Sequence, residues 1–215
     1  VAFQIVKGGT GKTSLAQAFA IRANLYGLRV LCLDLDQQGN LTHTFDVDAD
    51  CLPVMVDILA EDYPYQDAIT RVYPGFDLIA SRIENALLDD VIQLKKLPLD
   101  QVYRKPIQEL KKEYDLIVID CPPNLGQSVA AVTLASDMVV APVVPEKFAL
   151  EGLRMTYDAI QEIQKNYKTV IPFKVVLNKY DSRTKLSKEA IKTLKAHPDY
   201  ANHLVDTYIH MSQEF

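Results

Sequence analysis

A glycine-rich segment near the start of the sequence carries the residue types that bind phosphate. It follows an apolar run, residues 1–6, and precedes a helix-length amphipathic stretch. Glycines let a backbone curl so that its N–H groups converge on a phosphate at a helix N-terminus. In such a loop Lys12 would reach the β- and γ-phosphates, and the Thr13 hydroxyl would ligate Mg²⁺. The predicted phosphate-binding residues are Lys7, Gly8, Gly9, Thr10, Gly11, Lys12, Thr13 and Ser14.

The loop also carries a second lysine. The general pattern G-x-x-x-x-G-K-[ST] has glycine where this sequence has Val6, and Val6 is followed by Lys7 at the head of the glycine run. Lys7 is close to the expected phosphates but is not needed to cradle them. The alternative interpretation of Lys7 is a solvated surface lysine.

Acidic residues follow two apolar runs further along the chain. RVLCLDLD places Asp34 and Asp36 at the end of one predicted strand, and residues two apart in a strand share a face. LIVID delivers Asp120 to the end of another, which is the Walker B pattern that binds Mg²⁺. A turn-capping aspartate is the alternative for each residue alone. Together with the loop, the three carboxylates predict a metal and nucleotide site.

The elements that must position these residues alternate between short apolar runs and amphipathic stretches. This alternation predicts an α/β fold: a doubly wound, mostly parallel sheet with helices on both faces. Region Asp46–Gly75 has no clear pattern. The predicted strands are Ala2–Val6, Arg29–Asp34, Phe76–Ala80, Leu116–Asp120, Met138–Pro142 and Phe173–Asn178. The predicted helices after the first are Ile83–Leu97, Leu99–Glu113, Gln127–Ala135, Ala149–Tyr167 and Ser187–Ala196.

Composition narrows the class of protein, and the charge is unevenly distributed. The 215 residues are 48% hydrophobic with a net charge of −5, which excludes a disordered chain, a collagen-like fibre and a coiled-coil rod. The longest apolar run is too short for a membrane span. The negative net charge of the whole chain would argue against a nucleic-acid partner. Residues 165–195, however, hold nine basic side chains and two acidic ones. A local basic surface is therefore expected.

Four segments together resemble the ParA-type (MinD/ParA) group of P-loop ATPases. KGGTGKTS resembles the deviant Walker A motif KGGxGK[ST], and DLDQQGN resembles DxDPQGN with Gln37 in place of proline. IDCPPNLG resembles D[TC]PPxLG, and LNKYDSRTKLS resembles TxYDxRTxLS. The resemblance implies one P-loop NTPase domain over residues 1–215. Because residue 1 is a valine within a strand pattern and the sequence stops at Phe215 without a turn or polar tail, we expect a natural chain that is longer at both ends.

The resemblance also implies a role for each motif residue, with ATP and Mg²⁺ as cofactors. Lys7 would reach the partner's nucleotide when a homodimer encloses two ATP molecules, and Lys12 would serve its own site. Asp36 would activate the attacking water, and Asp34 and Asp120 would join Thr13 in the Mg²⁺ shell. Asn178 would contact the adenine base, with a turn-forming asparagine as the alternative.

The family's partners define the function that we expect. The resemblance implies sequence-independent DNA binding by the ATP dimer, with a ParB-type protein that stimulates hydrolysis during plasmid or chromosome partition. The predicted DNA-binding residues are Arg183, Lys185, Lys188 and Lys192, and a solvated helix surface is their alternative. We expect a cytoplasmic, nucleoid-associated bacterial protein without stable membrane association. A MinD-like membrane-cycling ATPase and a small-molecule kinase or ligase remain open.

Overall fold

The computed structural model describes residues 1–146 and 149–211, and its centre is a mostly parallel sheet. Its strands are β1 (Ala2–Phe3), β2 (Val30–Asp34), β3 (Ile69–Tyr73), β4 (Phe76–Ile79), β5 (Leu116–Asp120), β6 (Val139–Val143) and β7 (Phe173–Leu177). They lie in the order β3-β4-β2-β5-β1-β6-β7, and β3 pairs antiparallel with β4 at one edge. The other neighbours are parallel.

Helices connect the parallel strands. They are α1 (Lys12–Leu25), α2 (Asn40–Thr44), α3 (Met55–Glu61), α4 (Leu88–Leu94), α5 (Arg104–Leu110), α6 (Gln127–Ala135), α7 (Ala149–Tyr167) and α8 (Lys185–Ala196). The chain moves from β1 toward β2 on one side and from β5 toward β6 and β7 on the other. Because such crossovers are right-handed, this reversal places helices on opposite faces of the sheet. The predicted doubly wound α/β fold is confirmed.

The central strands are buried on both faces, which explains their continuous apolar sequences. Every residue of β2 is buried, and so are the last four residues of β5. Asp34 and Asp120 occupy paired positions at the carboxyl ends of these two strands. The sheet therefore brings the two acidic strand ends together, at the edge where open α/β sheets bind ligands.

The structure differs from the predicted elements mainly at their ends and in region Asp46–Gly75. This region contains α3 and the edge strand β3, neither of which was predicted. The hairpin turn between β3 and β4 is Pro74-Gly75, with Gly75 at φ 74°, a combination typical of a type II turn. That dipeptide was the available sequence signal for β3.

Two predicted helices were too long, and the first strand was also predicted too long. The predicted helix Ile83–Leu97 consists of a 3₁₀ turn, Ile83–Leu87, followed by α4. The helix does not continue past Lys96, because the backbone of Lys96 is in the left-handed region. In the predicted helix Leu99–Glu113 only α5 is α-helical. β1 spans two residues where five were predicted, because the chain beyond Phe3 turns into the glycine-rich loop. Among the described residues, no helix is both long and apolar enough to cross a bilayer.

Candidate nucleotide-binding site

The glycine-rich loop joins β1 to the start of α1, as the sequence predicts. Gly9 and Gly11 have φ values of 76° and 83°, in the left-handed region that favours glycine. Gly11 precedes Lys12, the first residue of α1. A β-carbon at Gly11 would clash with the side-chain nitrogen of Asn178, so this position needs glycine for space as well as for conformation.

The loop lines an open cavity of about 690 Å³. All eight predicted loop residues line it, together with Asp36 from the end of β2. The remaining lining residues are Gln17, Gln38, Asn40, His43, Thr44 and Pro123. Since the N-terminus of α1 opens into this cavity, its N–H groups and helix dipole favour an anion there.

Lys12 is the buried cation of the site. Its Nζ lies 2.8 Å from Asp120 Oδ1 and 3.8 Å from Asp36 Oδ2, and its side chain is 6% exposed. Burial opposes the charge on Lys12, but the Coulombic attraction and hydrogen bond of Asp120 outweigh it and raise the pKa of Lys12. Lys12 is therefore charged at neutral pH.

Asp34, the last residue of β2, and Asp36, two residues further on, have different surroundings. Asp34 is fully buried, and its oxygens accept hydrogen bonds from the Thr42 N–H at 2.9 Å, the Thr42 hydroxyl at 2.8 Å and the Asp36 N–H at 3.2 Å. Burial, followed by the charge of Asp120, raises the pKa of Asp34 to about 7. Asp36 lines the cavity and accepts from the Gln38 N–H. Asp36 is thus the better placed of the two to meet a ligand.

The donor set at the base of the cavity fits Mg²⁺. The Thr13 hydroxyl lies 2.6 Å from Asp120 Oδ2, so two hard oxygen ligands are already adjacent. The described ranges contain no group of three or more His, Cys, Asp or Glu residues that could hold a metal. Mg²⁺ takes one or two protein oxygen ligands and completes its shell with phosphates and water, so the adjacent Thr13 and Asp120 oxygens fit it. Because the oxygens of Asp34 serve Thr42 and Asp36, its metal role stays a prediction.

Lys7 lies apart from the buried charges. Its Nζ contacts Glu146 Oε2 at 2.6 Å, and its side chain remains 27% exposed. The start of α7 packs closely here, since a β-carbon at Gly152 would meet the Val6 carbonyl oxygen at 3.0 Å. The Thr156 hydroxyl also accepts from the Val6 N–H at 3.1 Å. No pattern in the sequence indicated Glu146 as a partner of Lys7.

Two consecutive residues after β7, Asn178 and Lys179, donate hydrogen bonds to carbonyl groups of the glycine-rich loop. Asn178 Nδ2 donates to the Thr10 carbonyl at 2.8 Å, and Lys179 Nζ donates to the Gly9 carbonyl at 3.0 Å. Asn178 is 6% exposed, and its Oδ1 accepts from the Lys179 N–H. Its predicted contact with the base stays a prediction. Lys179 was missed, although its position beside Asn178 at a strand end was a usable signal.

The predicted DNA-binding residues lie on α8 and the turn before it. Lys185, Lys188 and Lys192 are all exposed along the helix. Arg183 pairs with Asp181 at 2.8 Å, and its side chain is 87% exposed. Thr184 caps the helix through the Ser187 N–H. The structure therefore presents these four side chains on one continuous segment, as the sequence predicts.

The fold and the site define a class of protein, and comparisons identify the family. A glycine-rich loop between the first strand and first helix, with an acidic strand end beside its lysine, defines a P-loop nucleoside-triphosphatase. The family AAA_31, described as an AAA domain, matches residues 1–173. This match covers more than half of the chain, and together with the relatives described next it shows that the chain belongs to the ParA-type partition ATPases.

Three bacterial relatives are similar over most of the chain. The sporulation initiation inhibitor protein Soj of Bacillus subtilis is 33% identical over 88% of this chain and 76% of its own length. The chromosome partitioning protein ParA of Caulobacter vibrioides is 30% identical over 89% of this chain and 73% of its own length. The cell division protein PomZ of Myxococcus xanthus is 28% identical over 97% of this chain, which spans 66% of PomZ.

Solved structures share the fold. A plasmid partition protein from Borrelia burgdorferi bound to AMPPNP has a TM-score of 0.80 at 21% identity, covering 99% of this chain and 86% of that one. A cobyrinic acid a,c-diamide synthase from Mycobacterium smegmatis, with an ATP analogue and magnesium, has a TM-score of 0.87 at 26% identity and the same coverage. Both the predicted fold class and the predicted family are confirmed.

Proposed function

We propose that this chain is the ATPase of a DNA partition system. It binds ATP with Mg²⁺, closes into a homodimer around two nucleotides, and in that state binds DNA without sequence preference at the nucleoid. A ParB-type partner stimulates hydrolysis and releases the dimer, and repeated cycles move a plasmid or a chromosome. The ParA relative, which is named for chromosome partitioning, supports this assignment.

The chemistry follows from the positions of the cavity residues. The charged Lys12 and the N-terminus of α1 bind the phosphates, and Asp36 orients the attacking water at the end of β2. Thr13 and Asp120 would hold Mg²⁺, which when bound supplies positive charge to the phosphate oxygens. Positioning and electrostatics therefore provide the catalysis, without a covalent intermediate.

The observation that supports a homodimer is that the two lysines of the loop, Lys7 and Lys12, have different surroundings. Lys12 is buried against Asp120, so the phosphates of the chain's own site already have their lysine. Lys7 lies on the exposed side, where its ammonium forms an ion pair with Glu146. An exposed pair of this kind is worth at most about 1 kcal/mol, so Lys7 can exchange it for a partner's phosphates at little cost.

The exposed row on α8 supports the DNA contact. Lys188 and Lys192 are four residues apart and share a helix face, and Lys185 lies one turn before Lys188. Contacts between such side chains and phosphates release counterions, which makes binding strongly dependent on salt and indifferent to sequence.

DNA binding at two salt concentrations, with ATP, ADP or no nucleotide, tests the proposal. Retention should require ATP and fall steeply as salt rises. Changing Arg183, Lys185 and Lys188 to Glu should abolish retention while dimerisation persists. The matched control changes Lys96, Lys105 and Lys112 to Glu and should retain DNA. DNA binding that survives the first triple change would make this helix face a solvated surface only.

A small-molecule ligase is the second candidate, because the synthase structure is 26% identical with a TM-score of 0.87. ATP hydrolysis by the purified chain without any added acceptor, stimulated by DNA, would exclude it. A membrane-cycling ATPase would instead sediment with anionic liposomes in the presence of ATP and leave DNA in solution.

A further inference from the structure

Lys179 has a backbone conformation that its place in the chain does not explain. Five residues other than glycine have positive φ among those that the structure describes. Four of them follow the helices α2, α3, α4 and α7, where a left-handed residue commonly ends a helix. These four are Asp46, Asp62, Lys96 and Lys168. Lys179, with φ 52°, instead follows a strand, β7.

The left-handed conformation has a geometric effect on two neighbouring side chains. In an extended chain, consecutive side chains point to opposite faces. Asn178 and Lys179 nevertheless both contact the glycine-rich loop, at the carbonyls of Thr10 and Gly9. The turn at Lys179 is therefore what brings its ammonium to the same side as the Asn178 amide.

Hydrogen bonds on both sides hold this turn in place. The Asn178 N–H donates to the Val143 carbonyl at 2.7 Å, and the Tyr180 N–H donates to the Ile209 carbonyl at 2.8 Å. Between them, the Lys179 N–H donates to Asn178 Oδ1 at 2.9 Å. A strained residue persists only where its surroundings determine it, and such residues cluster at functional sites.

The two contacts fix the direction of two loop amides. The peptide group is planar and trans, so a carbonyl and the N–H of the next residue point in opposite directions. The Lys179 contact to the Gly9 carbonyl therefore turns the Thr10 N–H away from Lys179. In the same way, the Asn178 contact to the Thr10 carbonyl turns the Gly11 N–H away from Asn178. Because Thr10 and Gly11 line the cavity and Asn178 and Lys179 are not among its lining residues, we infer that both N–H groups point toward the cavity.

We propose that Lys179 is a positioning residue of the nucleotide site, which holds the Gly9 carbonyl so that the Thr10 N–H is aligned with a phosphate before the nucleotide arrives. This role rests on the nucleotide site proposed above. It differs from that of Lys12, since the Lys179 ammonium contacts the protein backbone and not the phosphates. Its loss weakens nucleotide binding because the loop must then be ordered during binding.

Substitution of Lys179 by asparagine tests the contribution of the Lys179 ammonium group alone. Asparagine tolerates the left-handed region, so Lys179→Asn removes the contact to Gly9 without adding backbone strain. Lys168→Asn is the matched control, because Lys168 has nearly the same φ, 50°, and is also exposed, but it follows α7. Lys179→Arg keeps a cationic donor at the same position.

Isothermal titration calorimetry with ADP, and separately with AMPPNP, in the presence of Mg²⁺ measures the effect. Lys179→Asn should raise the Kd for both nucleotides by about 5- to 10-fold, as expected for one exposed charge-assisted hydrogen bond. Lys179→Arg should recover most of the loss, and Lys168→Asn should match the unsubstituted chain. At saturating ATP, kcat should change less than twofold, because the bound nucleotide then orders the loop.

Three other outcomes of these titrations would each contradict one part of the proposal. Equal affinities for Lys179→Asn and the unsubstituted chain would show that Lys179 does not position the loop. A loss for AMPPNP but not for ADP would mean that Lys179 contacts the γ-phosphate directly, which contradicts a positioning role. No binding of either nucleotide by the unsubstituted chain would refute the proposed nucleotide site itself.

Discussion

The ammonium of Lys12 lies 2.8 Å from the carboxylate of Asp120, and both side chains are buried. The contact joins the first residue of α1 to the last residue of β5, so it fastens the phosphate loop to the centre of the sheet. Since the Thr13 hydroxyl contacts the other oxygen of Asp120, one carboxylate organises two residues of the loop. Asp120 is therefore part of the loop's structure as well as a candidate metal ligand.

Lys12→Met should abolish nucleotide binding and also destabilise the fold. The change removes the phosphate-binding cation and leaves the Asp120 carboxylate buried without its counter-charge, at a cost of about 3 kcal/mol. The double variant Lys12→Met, Asp120→Asn should recover much of that stability but no nucleotide binding. Urea unfolding and calorimetry with ADP measure the two effects separately. An unchanged nucleotide affinity in Lys12→Met would contradict the assignment of the loop.

Asp36→Ala should separate hydrolysis from binding. Loss of a group that positions water typically lowers turnover about 100-fold or more, while Lys12 and the loop still bind the nucleotide. We expect an ATP-bound dimer that persists, measured as phosphate release and as mass by light scattering. Asp50→Ala, at an exposed site, is the control and should hydrolyse ATP normally. Turnover at the unsubstituted rate in Asp36→Ala would remove Asp36 from the mechanism.

Lys7→Ala should abolish dimerisation but leave nucleotide binding by the single chain within about threefold, because Lys12 serves that site. Light scattering with AMPPNP and calorimetry with ADP make the comparison. Glu146→Gln frees the Lys7 ammonium from an exposed pair worth at most about 1 kcal/mol in each of the two subunits, so dimerisation should strengthen at most about 30-fold. If Lys7→Ala still forms the dimer, Lys7 does not act across the interface.

Gly126→Ala should destabilise the chain through Asp89. The Asp89 carboxylate accepts from the Ser128 N–H at 2.7 Å and occupies the space that a β-carbon at Gly126 would need. Alanine would displace the carboxylate and remove this cap from α6, at a cost of about 1–2 kcal/mol in urea unfolding. Asp89→Ala should cost a similar amount.

A double-mutant cycle and a control test this explanation. Because both changes remove the same hydrogen bond, the double variant should lose little more than either single one. Asp90→Ala, at the exposed neighbouring position of α4, should change stability by no more than about 0.5 kcal/mol. Fully additive losses at positions 89 and 126 would show that the two residues do not act through one contact.

The phosphate loop and the acidic strand ends could be predicted because their signals are local. Glycines, a lysine and a threonine between an apolar run and a helical stretch define the loop within about 15 residues. Likewise, Asp34 and Asp120 each end a buried strand, and parallel strands place their carboxyl ends at the same edge. That both carboxylates lie at one edge follows from the fold class, whereas their direct pairing follows from the position of β2 beside β5 in the sheet.

Other parts of the fold could not be predicted from local sequence patterns. Strand β3 is half-exposed, so its sequence lacks the continuous apolar character that marked the buried strands. It is stabilised by pairing with β4, and only the Pro74-Gly75 turn indicated that pairing in advance. Similarly, α3 is seven residues long, which is too short for a reliable helical period.

The sequence by itself determined the fold class, the loop, the acidic strand ends and the basic segment that α8 displays. Only the tertiary structure decided that Glu146 holds Lys7, that Thr42 occupies the oxygens of Asp34, and that Lys179 holds Gly9. The Lys7 and Lys179 contacts join residues more than 100 positions apart. Motif spacing records which residues are neighbours along the chain, whereas such contacts depend on how strands and turns are placed in space. The roles of the loop's outer residues therefore depend on a packing arrangement that no local pattern encodes.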